Sequence, residues 1–398
     1  MPQQINVTRS SMPPFEEYVE EIRPLWESRW LTNMGEKHCQ LEQKLAEKLG
    51  AGRVSLFTNG HMALELLLQA MGLEGEVLTT PFTFVSTTHA ICRAGLTPVF
   101  CDVKESDGTL DPAKLEEHIT PRTCAILPVH VYGNLCDTEA IDAIAKKHGL
   151  KVIYDAAHAF GVEKNGRKAG SFGDASMFSF HATKVFHTIE GGGVCCDDPE
   201  VHETLDHLRD FGIQDAEHVG YVAPNAKMNE FCAAMGLCNL RHLDQAIAAR
   251  RAAVEQYRKR LGGVPGLRLL LAEGEGLTSN YAYMPVTFDE AVFGESRDEV
   301  MSRLAAEGIG ARKYFYPLVS DYACYRETYH SSETPVARHP ASQVLTLPRI
   351  QGRGPAAPLP RQHSGPDHAG LGVCDGGRRQ PGWLRRRVRP VRRAGQPV

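Results

Sequence analysis

Cys124-Ala125-Ile126-Leu127-Pro128-Val129-His130-Val131 is an apolar run, Thr138 to His148 follows with helix-forming residues and Gly149 as its stop, and Lys151-Val152-Ile153-Tyr154 is a short apolar run ending on Asp155. Strand, helix and strand within about thirty residues is the unit of a parallel sheet, because a parallel return needs a crossover long enough to hold a helix. The same alternation extends upstream. An amphipathic helix around Gln40 to Leu49 precedes the apolar run Val54 to Phe57, which turns through Thr58-Asn59-Gly60-His61 into Met62 to Met71, with Leu at helical spacing. Glu76 to Thr80 leads into Thr87 to Ala94, and Thr97 to Val103 leads into a helix opened by Asp111 as N-cap with Pro112 at its first position. Alternation sustained over about 180 residues predicts an α/β fold whose mostly parallel sheet is covered by helices.

Composition narrows the function. The chain has 398 residues, a formal charge of −4, 42% apolar residues, 8% aromatics and 37 glycines, which describes a globular protein of two to three domains with room to bury a core and a cofactor. So small and negative a charge excludes nucleic acid as the natural partner, and no run approaches the ~18 apolar residues of a membrane helix. Met1 to Gln4 offers no cationic start and no apolar stretch follows, so no secretory signal is read, a cytoplasmic protein is expected, and Asn6-Val7-Thr8 is a chance sequon. Eleven cysteines lie scattered, with Cys195 and Cys196 adjacent and no paired C-x-x-C; that pattern fits reduced core thiols, with neither a disulfide frame nor a metal site.

The charge is unevenly spread. From Pro348 to Val398 there are eleven arginines, no lysine or glutamate and two aspartates, a surplus of nine positive charges that leaves −13 for the remainder. The segment has no apolar period and is broken by Pro and Gly, so disorder is expected. A basic arm for RNA or an anionic membrane is one reading of it. The abrupt loss of lysine favours another, a reading-frame change after Leu345-Thr346-Leu347-Pro348, which resequencing the gene would decide.

Ligands of parallel sheets bind beyond the carboxyl ends of the strands, which directs attention to Asn59–His61, Pro81–Phe84, Asp155–His158 and Ser179–Lys184. A carboxylate at Asp155 either caps a following helix or meets a cation in the crevice. Lys184 stands 29 residues on, after the apolar run Ser176 to Phe180 and before Gly191-Gly192-Gly193. Alone, such a lysine is commonly a solvated loop residue. Acid and amine at adjacent strand ends, with a glycine-led helix start that binds an anion, are together what pyridoxal phosphate needs.

Asp155-Ala156-Ala157-His158-Ala159-Phe160-Gly161 and Ser179-Phe180-His181-Ala182-Thr183-Lys184, followed by Glu190-Gly191-Gly192-Gly193, resemble the DegT/DnrJ/EryC/StrS nucleotide-sugar aminotransferases, and the likeness runs from about Trp30 to Pro348. The resemblance implies fold type I of the pyridoxal phosphate enzymes: a large cofactor-binding domain over residues 1–245, a smaller C-terminal α+β domain over 246–347, and 348–398 outside both. It makes Lys184 the catalytic Schiff-base lysine and proton carrier, pairs Asp155 with the ring nitrogen, sets His158 at the ring or its 3-hydroxyl, and stacks Phe84 on the ring, although a core aromatic is the alternative for Phe84. The phosphate falls to the N–H groups of Gly60 and His61 and to the Ser179 hydroxyl. His61 replaces the small hydroxyl residue common in the family, so only its backbone is counted.

The run Asn225-Ala226-Lys227-Met228-Asn229-Glu230 resembles a segment lent to the neighbouring subunit's phosphate. Asn225 is the first candidate, with Lys227 and Asn229 behind it, and a homodimer with shared sites follows; a helix-start loop of one subunit is the alternative. His181 and His187 are too awkwardly spaced for a metal pair and are expected to be structural or substrate-facing. Tyr314-Phe315-Tyr316-Pro317-Leu318 either borders the sugar site or forms a buried strand.

Retention of the lysine implies transamination with L-glutamate as donor, and the wording around Lys184 and Asn225 is similar to enzymes that aminate C4 of dTDP-4-keto-6-deoxy-D-glucose. The alternatives are a 3-keto sugar, a UDP- or GDP-linked sugar, or a non-enzymatic role as an inactive or regulatory cofactor-binding protein.

Overall fold

In a computed structural model, residues 4–329 and 334–348 are described. The expectations attached to the arginine-rich segment therefore lie, beyond Pro348, outside the described residues. Seven strands form the central sheet: β1 (Val54–Phe57), β2 (Glu76–Thr79), β3 (Thr97–Phe100), β4 (Thr123–Ile126), β5 (Lys151–Asp155), β8 (Ala175–Ser179) and β9 (Gly192–Cys196), in the order β1-β9-β8-β5-β4-β2-β3. β9 alone runs antiparallel to its neighbours, wedged between β1 and β8, and the other six strands share one direction.

Both faces of this sheet are dry, as a parallel sheet between helices requires. Leu56, Leu78, Ile126, Tyr154 and Phe178 project to one side, where they meet helices Glu36–Leu49, Thr138–His148 and Glu230–Arg241 through Leu45, Ile141 and Leu237. Phe57, Val77, Ala125, Ile153 and Met177 project to the other, against helices Gly60–Ala70 and Pro199–Leu208. Each such side chain withdrawn from water adds about 1.5–3 kcal/mol. The two glycines that begin β9 are poor strand formers, and nothing in the sequence marks that strand.

The helix expected after Asp111 is cut short. Asp111 does accept from the Ala113 N–H at 3.0 Å, but only two single 3-10 turns, Pro112–Lys114 and Glu116–His118, follow. The apolar run from Cys124 stops being a strand at Ile126, before Pro128 removes a ladder donor. β6 (Glu163–Lys164), β7 (Arg167–Lys168) and β11 (Leu277–Thr278) make a small antiparallel sheet. A third sheet, β10 (Leu267–Leu269), β12 (Pro285–Phe288) and β13 (Val344–Thr346), has its own apolar cluster with Val254, Met284 and Leu345. The ten cysteines among the described residues form no disulfide. No described helix is long and apolar enough to cross a membrane.

Candidate active site

β1, β2, β5 and β8 end at one rim of the central sheet, and the four segments named from the sequence leave from those ends. Gly192 lies opposite Phe57 on one side and Ser179 on the other, so the ends of β1 and β8 flank one glycine. A Cβ on Gly192 would stand 2.6 Å from the Gly60 nitrogen, and one on Gly60 would stand 2.9 Å from the Ser179 Cβ. Only glycines let helix Gly60–Ala70 start this close to the two strands.

Asn59 caps that helix, its side-chain oxygen accepting from the Met62 N–H at 2.9 Å. The N–H groups of Gly60 and His61 are first-turn donors with no intrahelical acceptor, and Ser179 is half-buried beside them. The result is a cradle of oriented N–H groups at the positive end of a helix, suited to an oxyanion. The His61 ring does not join it: Nδ1 is 3.0 Å from Ser86 Oγ, and Nε2 is 3.5 Å from Glu65.

Asp155, at the tip of β5, is buried. Its Oδ2 accepts from the Thr87 hydroxyl at 2.8 Å and its Oδ1 from the Ala157 N–H at 3.1 Å. Thr87 in turn lies 2.9 Å from the Thr83 hydroxyl. Burial raises the Asp155 carboxyl above its ordinary value, while the Thr87 hydroxyl, the Ala157 N–H and the Lys184 charge pull it back. The acid is thus primed for a buried cationic partner beyond the strand end. Phe84, the residue that precedes helix Val85–Arg93, is 52% exposed at this rim, so the structure does not place it in the core.

Lys184 follows β8 in a turn, its N–H donating to the His181 carbonyl at 2.9 Å. Among the described residues its amine has no ion-pair partner. It lines a narrow cleft with His158, Phe160, Ala282 and Tyr283. His158 is buried, and its Nδ1 accepts the Tyr132 N–H at 3.1 Å, which places the proton of the neutral ring on Nε2 and makes that nitrogen a donor. Tyr132 reaches this geometry with a left-handed backbone, φ 60°.

Thr87, Tyr132 and Tyr283 were not anticipated. Each belongs to the site through contacts across more than twenty residues, such as Thr87 to Asp155 and Tyr132 to His158, and a fragment of sequence carries no sign of them. Thr87→Val tests the first. A hydrogen bond to a charged group is worth about 1.5–3 kcal/mol, or about one to two pH units at 1.36 kcal/mol per unit. Removing a donor that lowers the Asp155 value raises it further, so the carboxylate takes up its proton at higher pH. The acid limb of the kcat/KM profile is expected to move upward by about that amount, and an unmoved limb counts against the contact.

The remaining candidates scatter. Asn225 is exposed and bridges Asp210, while the neighbouring Ala226 carbonyl accepts the Thr58 N–H at 2.7 Å, so the segment runs beside the end of β1 in its own chain. Lys227 is buried in an ion pair with Asp210, and Asn229 caps helix Glu230–Arg241. His187 is structural: buried, it is 2.5 Å from the Ser11 carbonyl and accepts the Ile189 N–H at 3.2 Å. His181 is exposed, 2.8 Å from Thr183 Oγ1. No group of three or more His, Cys, Asp or Glu among the described residues could hold a metal ion. Tyr314–Leu318 is not a strand; Phe315 lies parallel to His158 and Tyr132, each at 6.0 Å between ring centres.

A model of the DegT/DnrJ/EryC1/StrS aminotransferase family matches residues 15–355. The dTDP-4-amino-4,6-dideoxy-D-glucose transaminase of Shigella dysenteriae is 44% identical over 348 residues, covering 87% of this chain and 94% of its own length. The GDP-perosamine synthase of Caulobacter vibrioides is 34% identical over 300 residues, covering 73% of this chain and 80% of its own. Among solved structures, DesI with its TDP-sugar product superposes with a TM-score of 0.83 at 36% identity, covering 87% of this chain and 88% of that one.

Proposed function

The chain belongs to the DegT/DnrJ/EryC1/StrS aminotransferase family, and from that premise we propose that it transfers the amino group of L-glutamate to C4 of dTDP-4-keto-6-deoxy-D-glucose, giving dTDP-4-amino-4,6-dideoxy-D-glucose and 2-oxoglutarate. The observation that carries this is the buried Asp155 and the unpaired Lys184 at neighbouring strand ends beside an N–H cradle, in a chain 44% identical to a transaminase of that name.

The cofactor is pyridoxal 5′-phosphate, and the residues fit it: the glycine-bounded cradle suits its phosphate and the buried carboxylate its ring nitrogen. When bound, it supplies an aldehyde that condenses with amines and a protonated ring that draws electrons from the adjoining carbon. Gly60, His61 and Ser179 hold the phosphate. Asp155 keeps the proton on the ring nitrogen. His158, with its donor on Nε2, and Phe84, exposed at the rim, would hold the ring, the aromatic contact contributing ~1 kcal/mol beyond burial. Lys184, the lysine of the cleft, would take the proton from the amino-acid carbon and return it one carbon away, a general base and then a general acid.

The division into domains 1–245 and 246–347 is supported by the separate third sheet and its cluster around Val254 and Met284. A cytoplasmic location is supported by the unpaired thiols. A homodimer is supported by apolar side chains left exposed on one loop, Phe211, Ile213, Val219 and Val222, beside Asn225.

Incubating the purified protein with glutamate and dTDP-4-keto-6-deoxy-D-glucose and locating the new amine by NMR tests the reaction; an amine at C3, or no product, overturns it. Co-expression tests the shared site. If Asn225 serves the neighbouring subunit, Lys184→Ala and Asn225→Ala chains, each impaired alone, form mixed dimers in which one site has both residues, so about a quarter of all sites recover. No recovery assigns Asn225 to its own chain.

A further inference from the structure

Helix Leu243–Leu261 turns one stripe toward the body of the protein, made of Leu243, Ile247, Arg250 and Val254. Four residues at this spacing share a face, and three of them are apolar. Ile247 Cδ1 lies 3.4 Å from where a Gly161 Cβ would stand, directly after Phe160 of the Lys184 cleft. Val254 packs with Met284, directly after Ala282 and Tyr283 of the same cleft. Arg250 sits between these two contacts, on the side of the helix that backs the cleft wall. Tyr283 of the cleft lies within electrostatic reach of Arg250, and the Arg250 charge helps to lower His187.

Arg250 is 4% exposed. Its Nε is buried without a hydrogen-bond partner, and the side chain forms no ion pair among the described residues. Burial pulls the guanidinium down to about 10, which leaves it charged at neutral pH. The other two buried arginines among the described residues are neutralised: Arg209 meets Glu42 and Asp206, each at 2.8 Å, and Arg297 meets Asp298 at 2.7 Å and donates to the Ala341 carbonyl. A buried cation with no counter-charge is costly, and a leucine there would complete the stripe without that cost.

We propose that Arg250 is the receptor for an oxyanion of the substrate, its planar fork donating to a carboxylate of the amino donor or to the diphosphate of the nucleotide sugar once either occupies the Lys184 cleft. Such forks pair with carboxylate and phosphate through two parallel hydrogen bonds. The pairing would complete the charge balance only in the complex, so the buried cation favours the loaded site. This rests on the aminotransferase function proposed above.

Calorimetric titration of the full-chain holoenzyme with glutarate and with thymidine diphosphate reads the anion without turnover and separates its two sources. Arg250→Leu is expected to weaken one of them on the order of a hundredfold, with Arg250→Lys intermediate and the melting temperature and cofactor absorbance retained. Weakened glutarate identifies the donor carboxylate, and weakened thymidine diphosphate identifies the sugar nucleotide. Equal affinities in wild type and variants, no binding of either anion to the wild type, or loss of the folded state by both variants would each make Arg250 a structural cation and overturn the proposal. Failure of glutamate to change the wild-type cofactor spectrum is a separate result that sinks the aminotransferase function instead.

Discussion

Lys184→Ala is expected to stop the first half-reaction: mixed with glutamate, the cofactor-loaded variant keeps a visible absorbance band that does not bleach on the timescale of many wild-type turnovers. A positioned acid–base group contributes typically 10²–10⁴-fold, and this one also supplies the nucleophile that releases product, so a loss of at least about 10³-fold in the single-turnover rate is expected. The variant should still bind pyridoxal phosphate, because the cradle at Gly60, His61 and Ser179 and the acid at Asp155 are built from other elements. Retained cofactor with abolished turnover separates a catalytic lysine from a structural one. Rapid bleaching by glutamate in the variant would remove Lys184 from the mechanism, since no other lysine lines the cleft.

Asp155→Asn carries the second large effect. The amide matches the carboxylate in size but brings no charge, so the proton on the ring nitrogen loses its counter-ion and the ring draws electrons poorly. Removing one preorganised electrostatic partner of this kind costs about 10²–10³-fold in kcat. Stability should move the other way. Burial already raises the Asp155 carboxyl, which means that without the cofactor its charge is held at a cost, and this cost is present once pH exceeds the raised value. The cofactor-free variant is therefore expected to melt no lower than the wild type at neutral pH, less whatever is lost because one amide oxygen cannot serve both Thr87 and Ala157. Lower activity with an undiminished melting temperature is the signature; wild-type turnover would leave Asp155 as the acceptor of a turn after β5, where no helix follows for it to cap.

The fold was legible wherever an apolar run ended on a polar or glycine residue: β1 before Asn59, β5 at Asp155 and β8 before Lys184 all fall within a residue or two of where the sequence puts them. β9 was not, because its strand character comes from β1 and β8 on either side and not from Gly192 or Gly193 themselves. The acid and the amine could be read because each stands at the end of such a run. Thr87 could not, since its partner lies 68 residues away. Arg250 left a signal that went unread: Leu243, Ile247 and Val254 define a helical stripe, and the arginine occupying its fourth place, rather than the adjacent Arg251, is the one that must be buried. Asn225 lies at the opposite limit, because its assignment to a neighbouring subunit concerns contacts that a single chain does not contain.

Helix Val85–Arg93 begins immediately after Phe84 and carries Thr87 on its first turn, while its middle abuts Tyr325 through His89. Aromatic cover and carboxylate setting are thereby mounted on one rigid rod. An engineer who diversifies His89 or Tyr325 in search of a new sugar will rock that rod, and with it the colour of the holoenzyme and the acidity of its ring, so that spectral screening of such a library doubles as a readout of how far the helix has tilted.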